Sequence, residues 1–217
     1  MKGRDRVMAR SVFEGRLDAM RKEVEKESER ILYGPTAPSR RAYLSSYGCT
    51  KPTTDAVSAI AALGQPIVEM GAGVGHWEKA LRTAGVDVVA YDDWSAVPGA
   101  DDEPVAKGRA TEHSPGPCEN ESAALVGKVL HGTPDVTLPH NPGRALLLVY
   151  PGPDAMAEDS LTHYSGSTLV YVGENAGGAN ATPRFFQELQ RAWKVVKVME
   201  VEPFSGGCER MWILKRT

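Results

Sequence analysis

Near the amino terminus, apolar residues recur every three or four positions and charged residues fill the positions between them. The apolar stripe consists of Phe13, Leu17, Met20, Val24 and Ile31. Because this spacing is that of one face of an α-helix, we predict a helix over residues 7–32. We expect the stripe to pack against the main body of the chain, or to lie over a pocket as a lid.

Proline and glycine end this helix, since Gly34, Pro35 and Pro38 follow it directly. Residues 40–51 are then interpreted as a polar, tyrosine-bearing connector. A second helix is predicted over residues 56–63, with Thr53 or Thr54 as its capping residue.

From residue 66 the pattern alternates between strands and helices. Residues 66–70 form a short apolar run, residues 71–75 a glycine-rich loop, and residues 76–84 a helical segment. A β-branched strand over residues 86–91 follows. A strand, loop, helix and strand in succession are typical of parallel α/β winding.

The segment 93–144 differs from this regular pattern. Thirteen of its 52 residues are glycine or proline, and its only plausible strand covers residues 127–130. We interpret the segment as an irregular excursion over one edge of the sheet, because loops of this length in a compact domain are commonly functional or disordered.

Regular structure returns with an apolar run at residues 145–150, which is typical of a buried parallel strand. We predict the remaining elements as a strand at 167–173, a helix at 183–193, and strands at 195–202 and 211–215. The last two strands are expected to form an antiparallel pair. The chain is therefore predicted to have an α/β fold with a mostly parallel sheet.

Composition is consistent with one domain and a terminal extension, since the chain has 217 residues of which 41% are hydrophobic. No apolar run reaches the roughly 20 residues of a membrane-spanning helix, and no secretory signal is recognisable. We therefore expect a soluble, cytoplasmic protein. The net charge of −3 argues against general affinity for nucleic acid, although residues 1–41 form a mildly basic arm.

The three cysteines, Cys49, Cys118 and Cys208, are widely spaced and lack any Cys-x-x-Cys pattern. We therefore expect reduced thiols, no disulfide framework and no metal site.

The glycine loop carries the candidate chemistry. Gly71, Gly73 and Gly75 alternate between the first strand of the α/β region and the helix that follows. Glycine permits positive φ angles and lets a ligand approach the backbone closely. Asp92 lies 21 residues after Gly71, at the end of the next strand, where a carboxylate can accept both hydroxyls of a ribose. The pattern therefore predicts a ligand that contains a nucleoside.

Two features favour S-adenosylmethionine over a nicotinamide dinucleotide. The third glycine of the usual G-x-G-x-x-G pattern is replaced by His76, and Glu69 precedes the loop by two residues. A carboxylate at that point would repel a pyrophosphate but would suit a ligand with an ammonium and a sulfonium group. A glycine turn that binds nothing is the structural alternative.

These motifs resemble those of class I S-adenosylmethionine-dependent methyltransferases. The chain has VEMGAGVG at residues 68–75 and VVAYD at residues 88–92, which are similar to the first two signature motifs of that family. It is also similar to an uncharacterised methyltransferase-like group with the motifs GAGTGYW and AGVDVVAYD. The resemblance covers residues 43–217, so residues 1–42 are predicted to be a helical extension. It implies a three-layer fold with a seven-stranded sheet and an antiparallel last strand pair.

The resemblance also implies roles for individual residues. Asp92 would hold the ribose, with Asp93 or Trp94 near the adenine. The methionine end of the cofactor would lie against Glu69, Gly71 and Gly73, and Ala72 and Gly75 of the same loop would also contact the cofactor. Independently of the resemblance, an aromatic wall suited to a small acceptor or a sulfonium could come from Tyr43, Tyr47, Trp77 and Tyr150. Core packing accounts equally well for Trp77.

The loop after the strand at 145–150 departs from the family pattern. It reads Tyr150-Pro151-Gly152-Pro153 where family members place D/N-P-P-Y/F or related residues. An amide or carboxylate suited to gripping an exocyclic amine is missing, which argues against methylation of adenine or cytosine amino groups.

Methyl transfer from a sulfonium needs an aligned nucleophile and, for a protonated acceptor, a base. Glu174, His163 and Tyr150 are the candidate catalytic residues. We expect a methyltransferase that acts on a small molecule or, second, on a protein side chain. The alternatives are a dinucleotide-dependent oxidoreductase and a non-catalytic module that keeps the fold and the cofactor.

Overall fold

A computed structural model describes residues 2–33, 40–95 and 125–217 of the chain. Its contacts divide the chain into two compact units. One consists of residues 1–46 with residues 204–206, and the other of residues 47–203 with residues 207–217. The expected domain boundary at residue 42 stays a prediction. Most of the irregular excursion, residues 96–124, lies outside the described residues.

The first unit contains the long helix α1, Lys2–Tyr33, which is longer than the predicted range. Its apolar stripe is exposed rather than buried. Leu17 is 39% exposed, Met20 and Val24 are each 65% exposed, and Ile31 is 71% exposed. The expectation that this stripe packs into a core is therefore wrong for these four residues.

A second helix, α2, covers Arg40–Tyr47, in the segment interpreted from the sequence as a connector. That interpretation is wrong because the segment has one apolar face. Tyr43 is buried, and its ring lies edge-on to the ring of Phe204 at 5.3 Å. The guanidinium of Arg40 lies 5.4 Å from the centre of the same Phe204 ring.

The second unit is built on a seven-stranded sheet with the order β3-β2-β1-β4-β5-β7-β6. The first five strands along this order are parallel, and β7 is antiparallel to both of its neighbours. The strands are β1 Ile67–Met70, β2 Val88–Asp92, β3 Val129–His131, β4 Ala145–Val149, β5 Thr168–Gly173, β6 Trp193–Glu200 and β7 Arg210–Arg216. The predicted fold class, including its antiparallel last pair, is confirmed.

In the described part of this unit, α3 Thr54–Ala61 precedes β1, and four α-helices lie between strands: α4 His76–Thr83, α5 Pro134–Thr137, α6 Met156–His163 and α7 Pro183–Ala192. The predicted cap of α3 is confirmed, since the Thr53 hydroxyl accepts a hydrogen bond from the backbone N–H of Ala56 at 3.3 Å. The sequence pattern did not predict α5 or α6.

Strand residues alternate between two apolar cores, one on each face of the sheet. Val68, Leu146 and Leu169 face one core, which includes Phe185 of α7. Their neighbours Ile67, Leu147 and Val170 face the other core with residues of α3 and α4, including Ile60, Trp77 and Leu81. This alternation follows from the two-residue period of a strand and produces three layers, with helices on both faces.

The parallel strands place their carboxyl ends at one edge of the sheet. The loops after β1, β2, β4 and β5 therefore meet there. In open α/β sheets this is the edge at which ligands bind.

Candidate functional site

The glycine turn after β1 has the backbone that its sequence requires. Gly71, Gly73 and Gly75 have φ angles of 70°, 54° and 89°, which glycine adopts without a steric penalty. A Cβ built at Gly73 would meet no atom of the described residues within 4 Å, so none of these residues covers this part of the turn. A Cβ built at Gly71 would lie 2.6 Å from the terminal methyl carbon of Met156. Ala72 is tied to β2 by its N–H, which donates to the Tyr91 carbonyl at 3.1 Å.

Asp92 lies at the end of β2 and joins the two loops of the site. Its Oδ2 accepts a hydrogen bond from the N–H of Gly73 at 2.7 Å, and its Oδ1 accepts one from the N–H of Trp94 at 2.6 Å. The residue is 9% exposed. Burial raises the pKa of Asp92, and the two backbone N–H groups oppose that increase. The carboxylate therefore lies against the open glycine of the turn.

Glu69 is buried in β1, two residues before the turn, with 1% of its surface exposed. Its Oε2 has no hydrogen-bond partner among the described residues. Burial, followed by the carboxylates of Glu78 and Asp92, raises the pKa of Glu69 from 4.5 to about 8. A buried carboxyl oxygen without a partner is costly, so this site favours a ligand that brings a hydrogen-bond donor or a positive charge.

Glu78 in the first turn of α4 fixes the neighbouring segment. Its Oε1 accepts from Arg82 Nε and its Oε2 from the N–H of Lys128, each at 2.8 Å. The N–H of Gly127 donates to the Val74 carbonyl at 3.0 Å. A Cβ built at Gly75 would lie 2.8 Å from Val129 Cγ2 and 2.9 Å from Gly127 Cα. Because Gly75 has no Cβ, the turn can pack closely against the start of β3.

Trp94 and Asp93 follow Asp92 at the edge of the site. Trp94 has a φ angle of 56°, and its ring centre lies 5.3 Å from that of His131. Its indole Nε1 is buried and has no partner among the described residues. Asp93 is exposed, and its Oδ1 accepts hydrogen bonds from the N–H and the hydroxyl of Ser95. Trp94 therefore has a hydrogen-bond donor available at this edge, whereas the Asp93 carboxylate accepts hydrogen bonds from within its own loop.

Of the residues expected to form an aromatic wall, Tyr43 and Trp77 are buried and Tyr47 is partly exposed. Trp77 is 3% exposed and belongs to the core beneath α3 and α4, where its Nε1 donates to the Thr50 carbonyl at 2.8 Å. Tyr47 is 37% exposed, and Lys51 Nζ lies 5.3 Å from its ring centre. The next residue, Gly48, approaches the start of α4, where a Cβ would lie 3.2 Å from His76 Nδ1.

Tyr150 begins the loop after β4 and is half-buried, with a φ angle of 47°. The Pro151 carbonyl accepts hydrogen bonds from the Asn180 amide at 3.2 Å and from the Ala181 N–H at 3.1 Å. The Gly152 carbonyl also accepts from the Ala181 N–H, at 3.1 Å. Asn180 is buried, and its Oδ1 accepts from the Glu174 N–H at 2.8 Å. The loops after β4 and β5 are therefore linked through Asn180.

The other two candidate catalytic residues differ in position. Glu174 follows β5 at the same edge, and its Oε2 accepts from the N–H of Ala179 at 2.7 Å within its own loop. His163 is exposed in the last turn of α6. The next residue, Tyr164, has its hydroxyl 2.7 Å from the carbonyl of Thr168, where β5 starts. The structure thus places His163 toward the opposite edge of the sheet, apart from Tyr150 and Glu174.

The sequence indicated a functional loop at residues 175–180, which includes Asn180, but no role for that residue. It did not identify Met156, Glu78 or Gly127 as parts of this site. Glu78 and Arg82 are spaced as a helical ion pair, which is a weak local signal. Met156 and Gly127 depend on contacts between segments that are far apart in the chain.

Within the described ranges, no group of three or more His, Cys, Asp or Glu residues is arranged to hold a metal ion. The helices among these residues include none that is long and apolar enough to span a bilayer.

Comparisons with known proteins found structural neighbours but no sequence family. No family model and no curated protein matches the chain. Magnesium protoporphyrin IX methyltransferase (ChlM) from Synechocystis PCC 6803, with bound SAM, is 15% identical, with 75% of this chain and 77% of that chain covered and a TM-score of 0.42. A TehB-like SAM-dependent methyltransferase from Corynebacterium glutamicum ATCC 13032 Kitasato is 14% identical, with coverages of 74% and 86% and a TM-score of 0.43.

The mitomycin 7-O-methyltransferase MmcR is 17% identical, with 76% of this chain and 53% of that chain covered and a TM-score of 0.43. At such identities and scores the neighbours define no activity for this chain. Its own strand order and antiparallel β7 are those of the Rossmann-like fold of class I methyltransferases.

Proposed function

We propose that this chain binds S-adenosylmethionine and transfers its methyl group to a small-molecule acceptor. The observation that carries the proposal is the buried Oε2 of Glu69, which has no hydrogen-bond partner in the described part of the chain and lies next to the glycine turn in sequence. A ligand with an ammonium group would supply the hydrogen bonds and the positive charge that this oxygen lacks. Its arrival would also favour the ionised form of Glu69, whose pKa is raised in the free protein.

The surrounding residues fit the same cofactor. Gly73 leaves the backbone accessible, and Asp92 can exchange its bonds to the turn for ribose hydroxyls. Trp94 Nε1, which has no partner among residues 2–33, 40–95 and 125–217, could donate a hydrogen bond to the adenine base. A dinucleotide fits less well, because its pyrophosphate would lie near the buried carboxyls of Glu69 and Asp92.

When bound, this cofactor supplies an electrophilic methyl group on a sulfonium. The protein's part is to orient the acceptor, exclude water and accept a proton where the acceptor carries one. Tyr150 and Glu174 lie at the edge of the sheet where this would happen. The Oε2 of Glu174 already orders its own loop, so we assign Glu174 a positioning role and Tyr150 the contact with the acceptor.

A small molecule is favoured over a nucleobase as the acceptor. The first residue of the loop after β4 is Tyr150, whose side chain has neither an amide nor a carboxylate. The carbonyl of Pro151 already accepts two hydrogen bonds. These two groups are therefore poorly suited to bind an exocyclic amine. The acidic body, with a net charge of −7 over residues 42–217, also opposes a polyanionic substrate.

Calorimetric titration with S-adenosylmethionine, S-adenosylhomocysteine and NAD tests the cofactor. We expect the first two to bind and NAD to give no heat of binding. Glu69→Gln should weaken binding of S-adenosylmethionine, whose ammonium it would no longer neutralise, while Asp87→Asn at the other end of β2 should not. Binding of NAD alone would overturn the proposal.

Transfer of a radiolabelled methyl group to pools of small molecules, to RNA and to protein tests the acceptor. Label in the small-molecule fraction is expected. Label in RNA or protein would contradict the acceptor class, and cofactor binding with no transfer to any fraction would identify a non-catalytic module.

A further inference from the structure

The exposed stripe of α1 has the spacing of a coiled-coil seam. Leu17, Val24 and Ile31 are seven residues apart, and Met20 lies three residues after Leu17. In a heptad abcdefg, these residues occupy positions a and d, where paired helices bury their apolar side chains. All four are exposed, with Met20, Val24 and Ile31 each at least 65% exposed. A solvated seam of this kind is a surface for another helix.

We propose that α1 pairs with α1 of a second copy of this chain as an antiparallel two-stranded coiled coil. In such a pair, an a residue of one helix packs against a d residue of the other. Leu17 then faces the partner subunit's Met20, and Met20 faces the partner subunit's Leu17, about a twofold axis near residues 18 and 19. A twofold interface of this kind is self-complementary.

The charges that flank the seam select this orientation. In an antiparallel pair, e positions face e positions and g positions face g positions. Glu14 then faces the partner subunit's Arg21, and Arg16 faces the partner subunit's Glu23. The twofold axis repeats both contacts, so all four flanking pairs join opposite charges.

A parallel pair in register would have the opposite electrostatics. Arg16 would face the partner subunit's Arg21 on both sides of the seam. Glu27, which occupies a d position, would face the partner subunit's Glu27. Like charges at these positions are unfavourable. Within one helix Glu27 is bound by Arg30, with Nε and Nη2 contacts of 2.8 and 2.6 Å, and the antiparallel arrangement keeps the two Glu27 side chains apart.

Sedimentation equilibrium of the full chain tests the association. We expect twice the 23.4 kDa mass of one chain. Two variants replace the opposite charges of the flanking pairs with like charges. R16E/R21E makes all four flanking positions acidic, and E14R/E23R makes them all basic. The dimer of each variant alone should have a dissociation constant at least about tenfold higher than that of the wild-type dimer. An equimolar mixture of the two variants should restore dimerisation.

The matched control is K22E/K26E, which makes the same change of charge at exposed positions f and c, away from the seam. Its dimer should be unaffected. A wild-type chain that stays monomeric would overturn the proposal, as would a dimer that neither flanking variant weakens. Circular dichroism of each variant would verify that α1 remains helical.

Orientation is measured by pulsed electron resonance on a spin label at Ser28→Cys, in a chain whose three cysteines are replaced by serine. At 1.5 Å per residue, antiparallel pairing separates the two labels by about 28 Å along the helix axis. A parallel pair would bring them within about 15 Å, and that result would overturn the antiparallel register.

Discussion

Glu69 is an acidic residue buried in the first strand of the sheet. It is 1% exposed, and the carboxyls of Glu78 and Asp92 lie near it. Its raised pKa of about 8 favours the protonated form in the free protein, and a bound cation would favour the ionised form. One residue can therefore couple cofactor binding to proton release.

The first prediction concerns pH and the stability of the free protein. Between the ordinary pKa of 4.5 and the folded value of about 8, the folded chain holds a proton on Glu69 that the unfolded chain has lost. This group's contribution to the free energy of unfolding therefore decreases as pH rises through that window, by at most about 1.4 kcal/mol per pH unit. Urea unfolding at pH 5.5, 6.5 and 7.5 measures it.

Glu69→Gln removes this titration, so its free energy of unfolding should decline less steeply with pH than that of the wild type. The exposed Glu200→Gln is the matched control and should keep the wild-type slope. Equal slopes for wild type and Glu69→Gln would mean that Glu69 is already ionised in the folded chain.

The second prediction concerns Asp92. Asp92→Asn keeps the size of the side chain but loses its charge-assisted hydrogen bonds, each worth about 1.5–3 kcal/mol. We expect the affinity for S-adenosylmethionine to fall at least about tenfold in calorimetry. Asp87→Asn removes the same charge from the other end of β2, where the carboxylate pairs with Arg144 at 3.0 Å, and should bind as the wild type does. Unchanged affinity for Asp92→Asn would show that this carboxylate does not touch the cofactor.

The third prediction concerns the close contact between the glycine turn and the segment just before β3. A Cβ at Gly127 would lie 2.3 Å from the Gly75 carbonyl oxygen and 2.4 Å from Glu78 Oε2. Gly127→Ala must therefore displace backbone, and we expect it to cost about 1–3 kcal/mol of unfolding free energy. The control is Gly15→Ala on α1, where no atom lies within 4 Å of the new Cβ. Urea denaturation that ranks the control as the less stable variant would contradict this packing.

The α/β unit around the glycine turn was predictable because several local signals agree there. The boundaries of β1, α4 and β2 fall within two residues of the prediction, since apolar strands, glycines and a helical period all coincide. The start of α6 carries no such signal. It follows Pro151-Gly152-Pro153, and its cap position is Ala155, which has no side-chain cap; instead, Asp154 Oδ1 accepts from the Met156 N–H at 3.0 Å.

The candidate site was predictable only in part, for the same reason. Glu69, the glycines and Asp92 follow one another in a local motif. The contact of Lys128 with Glu78 joins residues 50 positions apart, and the contact of Asn180 with Pro151 joins residues 29 positions apart. Such contacts arise from the packing of strands and cannot be read from periodicity.

On the scale of the whole molecule, both apolar cores of the sheet consist of residues between Ala56 and Leu214. The fourth prediction is that a chain without residues 1–33 unfolds cooperatively and retains its affinity for S-adenosylmethionine, while it sediments as a monomer. Urea unfolding, calorimetry and sedimentation measure the three properties. A truncated chain that loses cooperative unfolding would show that the sheet needs α1.

Strand β6 ends the sheet and pairs only with β7 among the described residues. Its valines at 195, 196 and 198 are 46–54% exposed, and lysines stand at 194 and 197. A valine-rich edge strand, with backbone amide and carbonyl groups along its outer side, is a template on which another polypeptide can add as a further strand. The two ammonium groups oppose that addition by mutual repulsion between copies. Acylation of both lysines would thus remove this electrostatic protection, and the register irregularity between Val195 and Lys197 would remain as a second obstacle to strand addition.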